Sequence, residues 1–404
     1  MKNSIDRIRS VILADARQND FSGYDPFDGL NSAVFKFFPN LKKGVFGLAW
    51  IQFFKRSPIN IRPLLCVPKR RNPKGVGLFV LGLLEDYKYT NDASYLESAV
   101  ELADWLLTQQ CEKKIWLSSS WGYHFDWKAR AFYVPKGKPN AITTVYVARA
   151  LFTLAEILEC ENRKDEADLY RVAALSAADF IVNSLYSEIE GRNFFAYIPG
   201  ESAFVHNASL WAAAWVAVAA KYTGNTEYRL IALKVAGQTV SEQRNDGAWV
   251  YGARHHHQFI DSFHTGYNLE ALDLIRRSLD VNEFDEAIGK GYSYYKNNFF
   301  DKDYAAKYYN NNHYPLDMHS VSQAILILTQ LAGEDGDKKF DLTLVEYIIK
   351  RAIDTLYIES KQCFVYQKNR SFTNSINYMR WTQGWAYYSF SAFLNRLKEE
   401  GSEQ

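Results

Sequence analysis

Several things are scarce in this 404-residue chain, and each absence removes a class of function. There is no excess of charge: 47 Lys and Arg face 46 Asp and Glu, a net +1 at pH 7. A dedicated nucleic-acid binder would carry a basic surplus to displace counterions from phosphate, so that class is excluded as the main activity. Cysteine is limited to Cys66, Cys111, Cys160 and Cys363, with no CxxC pair and no Cys/His spacing for zinc. Free thiols in a reducing, cytoplasmic setting are expected, not a disulfide framework. The polar, amphipathic N-terminus lacks the apolar core of a signal peptide. The most apolar run noted, 208–220, is too short for a bilayer, which takes about 20 residues, so no membrane span is expected. GxGxxG, P-loop and GxSxG patterns are missing too, and no cofactor is implied.

What is abundant is aromatic: 10 Trp, 27 Tyr and 26 Phe, 16% of the chain. Hydrophobic residues reach 48%, enough for a large core. The apolar spacing at i, i+3 and i+4 predicts helices throughout. Six segments are apolar or small on nearly every side, the pattern of buried helices. They begin near Asn72, Asn140, His206, His264, Asp317 and Arg380. Charged, amphipathic helices follow five of them, over 94–110, 163–185, 226–243, 282–298 and 341–357. The sixth partner is missing at the C-terminus, and an N-terminal helix over about 4–17 fits the vacancy. The layout predicts an all-α fold, an (α/α)6 toroid of six inner and six outer helices forming one domain over 1–404.

The connections alternate between short and long. Inner-to-outer turns take a few residues, as at Thr223-Gly224-Asn225. Outer-to-inner segments at 111–140, 186–205, 244–263, 299–316 and 359–379 are long and rich in Trp, Tyr, Phe and His. Short β-hairpins are expected in them, for example over 193–199 and 248–251. All must emerge on one end of the ring, where the inner helices also begin.

This layout resembles the six-hairpin glycosidase-like superfamily, which includes unsaturated glucuronyl hydrolases and N-acylglucosamine 2-epimerases. The strings Tyr24-Asp-Pro-Phe-Asp-Gly-Leu-Asn31, Lys55-Arg-Ser-Pro-Ile-Asn-Ile-Arg-Pro63, Trp121-Gly-Tyr-His-Phe-Asp-Trp127 and Phe259-Ile-Asp-Ser-Phe-His-Thr-Gly-Tyr-Asn-Leu-Glu270 resemble a bacterial family of surface-polysaccharide gene clusters. Members of that family often carry the label delta-aminolevulinic acid dehydratase. The chain lacks the alternating βα pattern that such a dehydratase barrel requires. Gln243-Arg-Asn-Asp-Gly-Ala-Trp249 is similar to a Q-x3-G-x-W repeat of triterpene cyclases, read here as a turn with a stacking Trp. The superfamily resemblance implies a carbohydrate-active enzyme acting on an oligosaccharide or glycoconjugate.

Three constellations can carry chemistry. Asp261, His264 and Tyr267 join a carboxylate, an imidazole and a phenol, with His264 and Tyr267 three apart on one helical face. Gly266 beside them permits a close approach, and Glu270 can bridge inner helices. Asp317 and His319 repeat the carboxylate–imidazole pair at the next inner helix. In the third, strand alternation would put Trp121, Tyr123, Phe125 and Trp127 on one face and His124 and Asp126 on the other. Trp121, Tyr123, His124, Trp127, Trp249, Arg380, Trp381, Gln383 and His206 form the expected sugar-binding set. Arg62, Arg130 and Arg380 can each pair with a carboxylate or phosphate, in the substrate or in the protein. The run His255-His256-His257 reads as a substrate-contacting loop without the helical spacing of a metal site.

Glycoside hydrolysis comes first among reactions, with Asp126, Asp261 and Asp317 as available carboxylates. A sugar epimerase or polysaccharide lyase using His264 and His319 is the alternative. A non-catalytic glycan-binding protein and a binder of lipid-linked sugar are the rivals from other classes.

Overall fold

Six helices buried on nearly every side set the architecture. In the computed structural model, which describes residues 1–129 and 132–402, the helices in chain order are α1 (Lys2–Gln18), α2 (Val34–Phe37), α3 (Val45–Arg56), α4 (Pro73–Thr90), α5 (Ala93–Thr108), α6 (Lys113–Trp116), α7 (Ala141–Cys160), α8 (Lys164–Leu185), α9 (His206–Thr223), α10 (Thr226–Ser241), α11 (Ser262–Leu279), α12 (Asp285–Asn298), α13 (Met318–Gln330), α14 (Lys338–Leu356) and α15 (Gly384–Ser402). Arg130 lies outside the described residues.

The inner ring runs α4, α7, α9, α11, α13, α15 and back to α4, each packed on the next. The outer helices α5, α8, α10, α12 and α14 each pack on the inner helix before them, and α1 packs on α15. The chain's first helix therefore takes the sixth outer place. Its Arg9 pairs with buried Asp86 of α4, and Tyr387 of α15 donates to the same carboxylate at 2.6 Å. A buried arginine is tolerable only with such a partner.

Local chemistry explains the inner helices. Asn72, Asn140, Asp261 and Asp317 each cap an N-terminus by accepting a backbone N–H. Such caps are each worth about 1 kcal/mol. At the other end Asn91 and Gly224 take the left-handed conformation that closes α4 and α9. In α9, Trp211 and Trp215 are fully enclosed, and each large apolar side chain so buried contributes about 1.5–3 kcal/mol. Helix α7 is long and apolar enough to cross a bilayer by length and composition, which the sequence reading did not single out. Here it is an inner helix of the ring, 83% buried over its most apolar window.

The long segments gather at the N-terminal end of the inner ring and pair in short antiparallel hairpins. Tyr186–Ile189 pairs with Arg192–Phe195, and Trp127–Lys128 with Tyr133–Val134. A four-stranded antiparallel sheet joins two of the long segments through Asp317 opposite Gln367. The hairpin expected at 248–251 is absent, because Trp249 turns inward and its indole donates to the Thr239 carbonyl at 3.0 Å. The regular strand expected over 121–127 is also absent: only its last residue lies in a strand, and Gly122 makes an isolated bridge to Pro139.

Candidate functional site

The ring's N-terminal end holds a cavity of about 520 Å³. Every inner helix contributes from its first turn or its entry: Lys74, Ile142, Asn207, His264, His319 and Trp381. Of the 27 residues lining it, 13 are Phe, Tyr or Trp. Such walls suit stacking on the apolar faces of a sugar, with polar groups fixing its orientation.

Asp261 is the one carboxylate among the lining residues. It is buried at the N-cap of α11, and each of its oxygens has a task. Oδ1 accepts the His264 backbone N–H at 2.9 Å, and Oδ2 lies 2.7 Å from His264 Nδ1. This fixes the imidazole hydrogen on Nδ1 and leaves Nε2 as the acceptor, on a side chain that keeps 21% of its surface open. The arrangement is that of an oriented general base.

One turn further in, Tyr267 and His319 share a hydrogen bond of 2.6 Å between the phenol and Nε2. Lys74 Nζ stands 3.5 Å from the same phenol oxygen. The His319 ring is stacked between Phe263 and Trp385, and its Nδ1 has no partner among the described residues. Burial, then the nearby Lys74, holds His319 well below the usual imidazole range. Burial likewise holds the Tyr267 phenol well above its ordinary value, so both groups are neutral. Lys74 sits among the rings of Tyr146, Trp385 and Tyr267, with Nζ 4.3, 5.2 and 5.5 Å from their centroids. Burial, then Arg380, pushes its amine well below the ordinary lysine range. The amine, phenol and imidazole in contact form a chain along which a proton can move.

Arg380 reaches the cavity from a single turn of π-helix, Met379–Gln383, that leads into α15. Such turns often mark functional positions. Asp25 grips Arg380 in a two-pronged pair at 2.5 and 2.8 Å, and Asp28 pairs with Arg62 at 2.7 Å. The two carboxylates of the Tyr24–Asn31 string therefore anchor arginines. Both arginines are buried, but Arg62 is structural, whereas the anchored Arg380 forms part of the cavity wall.

The structure brings together Asp261, His264, Tyr267, His319, Tyr123, Trp127, Arg380 and Trp381 from the expected set. It removes others. Asp126 is held by Lys42 at 2.5 Å and accepts the Lys136 N–H, outside the cavity. Asp317 is fully buried behind the wall, capping α13 and accepting from Gln367 Nε2 at 2.6 Å. Burial raises its carboxyl to about 6. His124 bonds Asn72 at 3.1 Å and faces a neighbouring cleft. Trp121 is a core residue whose indole donates to the Leu106 carbonyl at 2.8 Å. Trp249 packs on Gly291, His206 contacts Thr239 at 3.2 Å, and Gln383 braces Phe364 through both its amide groups. These residues follow the same patterns as the cavity residues, but their helix or loop turns them the other way.

Gly266 serves a neighbouring helix, since a Cβ there would meet Gln323 Cγ at 2.6 Å. Glu270 bridges Arg149 and Gln323, each at 3.1 Å, joining α7, α11 and α13. The His255–His257 turn brings His256 and His257 to the rim. Sequence reading missed Lys74, Lys55 and Asn207. A lone lysine at the head of the apolar run 75–84 was the available signal for Lys74.

Comparison of the sequence with protein-family models and with curated proteins finds no match. Solved structures do match in fold. A cellobiose 2-epimerase from Bacillus thermoamylovorans superposes with a TM-score of 0.60 at 12% identity, covering 83% of this chain and 90% of that one. An unsaturated glucuronyl hydrolase specific for heparin gives 0.65 at 13% identity, covering 99% and 97%. A D-mannose isomerase gives 0.58 at 12% identity, covering 81% and 87%. The chain shares the (α/α)6 toroid fold of these solved structures.

Proposed function

We propose that this protein is a carbohydrate-active enzyme that moves a proton at a sugar carbon, as an epimerase or isomerase does. One observation carries the reading: among the described residues the cavity presents four imidazoles, His256 and His257 at the rim and His264 and His319 deeper in, but a single carboxylate, which His264 already engages. A two-carboxylate hydrolase needs its second acid across the scissile bond, and Asp126 and Asp317 stand outside the cavity. In the proposed reaction, an open-chain sugar lies against the aromatic wall. His264 Nε2 takes the proton from the carbon beside the carbonyl, and the electron pair moves to the carbonyl oxygen. Lys74 and Arg380 supply positive or donor character to that oxygen. The Tyr267–His319 pair returns a proton to carbon from the other side. The epimerase and isomerase folds among the solved structures support this reading.

A second reading, hydrolysis assisted by the Asp261–His264 pair, is favoured by the coverage of the glucuronyl hydrolase, which extends over nearly the whole chain. Incubation with reducing disaccharides, mannose and unsaturated uronyl oligosaccharides in deuterated water separates the two. Deuterium at one sugar carbon without cleavage is the expected result. Cleavage without deuterium on carbon refutes the epimerase reading, and saturable binding with no turnover leaves a glycan-binding protein.

A further inference from the structure

The chain's charge balances overall but not locally. Residues 29–84 contain no Asp or Glu and carry ten Lys or Arg, in a protein whose net charge is +1. The same stretch departs from the ordinary surface in a second way. Phe37 is 79% exposed, Val45 85% and Leu64 82%, with Phe38, Phe46, Phe53 and Ile59 also open to solvent. A cluster of large apolar side chains on a protein surface marks an interaction site.

Helix α3 shows how the patch is built. Ile51 and Phe54 face the protein, and Trp50 donates to the Gly29 carbonyl at 3.1 Å, which pins the helix down. At 100° per residue, Val45, Phe46, Ala49, Phe53 and Arg56 fall on one stripe. All five are exposed. The helix therefore turns an apolar stripe outward, the reverse of an ordinary surface helix. Phe37, Phe38 and Leu41 extend this surface on the adjoining turns, which pack on α3. Lys36 and Lys43 are exposed among them. On its other side, α3 lines the cavity with Gln52 and Lys55. One helix thus separates the aromatic cavity from the apolar patch.

We infer that residues 34–64 form a docking surface for an anionic lipid bilayer. Protruding Phe, Val and Leu side chains enter the boundary between headgroups and acyl chains, while the lysines and arginines beside them meet anionic headgroups. The exposed charges of residues 34–64, Lys36, Lys43 and Arg56, are all positive, which distinguishes a lipid surface from a protein partner, whose charges are mixed. At 12 residues α3 lies in the interface and does not span. Docking brings the cavity's α3 wall to the headgroup layer, where a sugar carried on a lipid would be presented.

Flotation of the full chain with vesicles tests this. Vesicles of phosphatidylcholine with about one-third phosphatidylglycerol are compared with pure phosphatidylcholine, at low and high salt. Binding to the anionic vesicles, weakened by salt, is expected. Lys36→Gln and Lys43→Gln should each lower partitioning about fivefold. The triple substitution Phe37→Ser, Phe38→Ser, Phe53→Ser should abolish it while leaving the melting temperature and near-UV circular dichroism unchanged, since all three rings are exposed. Absence of flotation on anionic vesicles overturns the inference, as does undiminished flotation of the triple variant. A dimer by light scattering that the triple variant converts to monomer, with vesicles ignored, also overturns it and assigns the patch to a second copy of this chain.

Discussion

Replacing Asp261 by Asn isolates the chemistry of the site from its fold. The wild-type carboxylate caps α11 through Oδ1 and fixes His264 Nδ1 through Oδ2, at 2.9 and 2.7 Å. Asn retains an oxygen for the cap. Its NH2 group then faces His264 Nδ1, and two N–H groups cannot share a hydrogen bond. The imidazole must move its hydrogen to Nε2, which ceases to be an acceptor. A positioned general base contributes about 10²–10⁴ in rate, so turnover should fall by that factor. That is about 3–5 kcal/mol of barrier, at 1.36 kcal/mol per tenfold. The folding cost should be only about 1 kcal/mol, the difference between a charge-assisted and a neutral hydrogen bond. Asp261→Ala, by contrast, also loses the cap. Deuterium wash-in by proton NMR gives the rate and thermal melting gives the stability. A Asp261→Asn variant that exchanges deuterium as fast as wild type refutes the oriented-base reasoning.

Lys74→Met should abolish turnover by about 10²–10³ while the melting temperature rises, because an amine without a carboxylate partner leaves the aromatic cage; a stable variant with full activity would show the lysine to be passive. Gly291→Ala should destabilise the fold by about 1–3 kcal/mol in urea titration, since the new Cβ meets the Trp249 ring at 2.6 Å. Its turnover per folded molecule should be unchanged, whereas a substrate-stacking Trp249 would alter KM first. The buried His206 is pushed down by burial to about 4. It therefore stabilises the fold above pH 6.5 and loses that stabilisation as pH falls, so His206→Gln should reduce the stability lost between pH 7 and pH 5 by about 2 kcal/mol. Asp317 has the opposite sign: its carboxyl, raised to about 6 by burial, favours folding most below its unfolded value. The stability of wild type relative to Asp317→Asn should fall by about 2 kcal/mol as pH rises from 4 to 7.

The shared toroid fold and the ring-lined cavity rest on different physics. Helix packing fixes the toroid, and sequences sharing about one residue in eight can satisfy it. The proposed reaction rests on a handful of groups at the helix N-termini. Asp261 and Asp317 make the point, since both are N-caps followed within three residues by a histidine. Asp261 faces the cavity and Asp317 is sealed behind it, because the sheet pairing Asp317 with Gln367 covers one and leaves the other open.

What the sequence determined by itself is the ring. Apolar spacing, Asn and Asp caps and the alternation of short and long connections are local signals, and they located all six inner helices and the place of α1. They also put His264, Tyr267 and His319 on the working end. What only tertiary structure decided is which side chains turn inward. Trp121 and Trp127 share a strand-like alternation, yet one is core and the other cavity wall. Asp25 meets Arg380 across 355 residues of chain, and no local pattern encodes that pairing. The Lys74 amine is pushed well below the ordinary lysine range because three rings from three other helices close around it. The outward face of α3 was likewise invisible until its inward face was known. A sequence fixes which faces exist through periodicity, but the direction each one points is set by neighbours far along the chain.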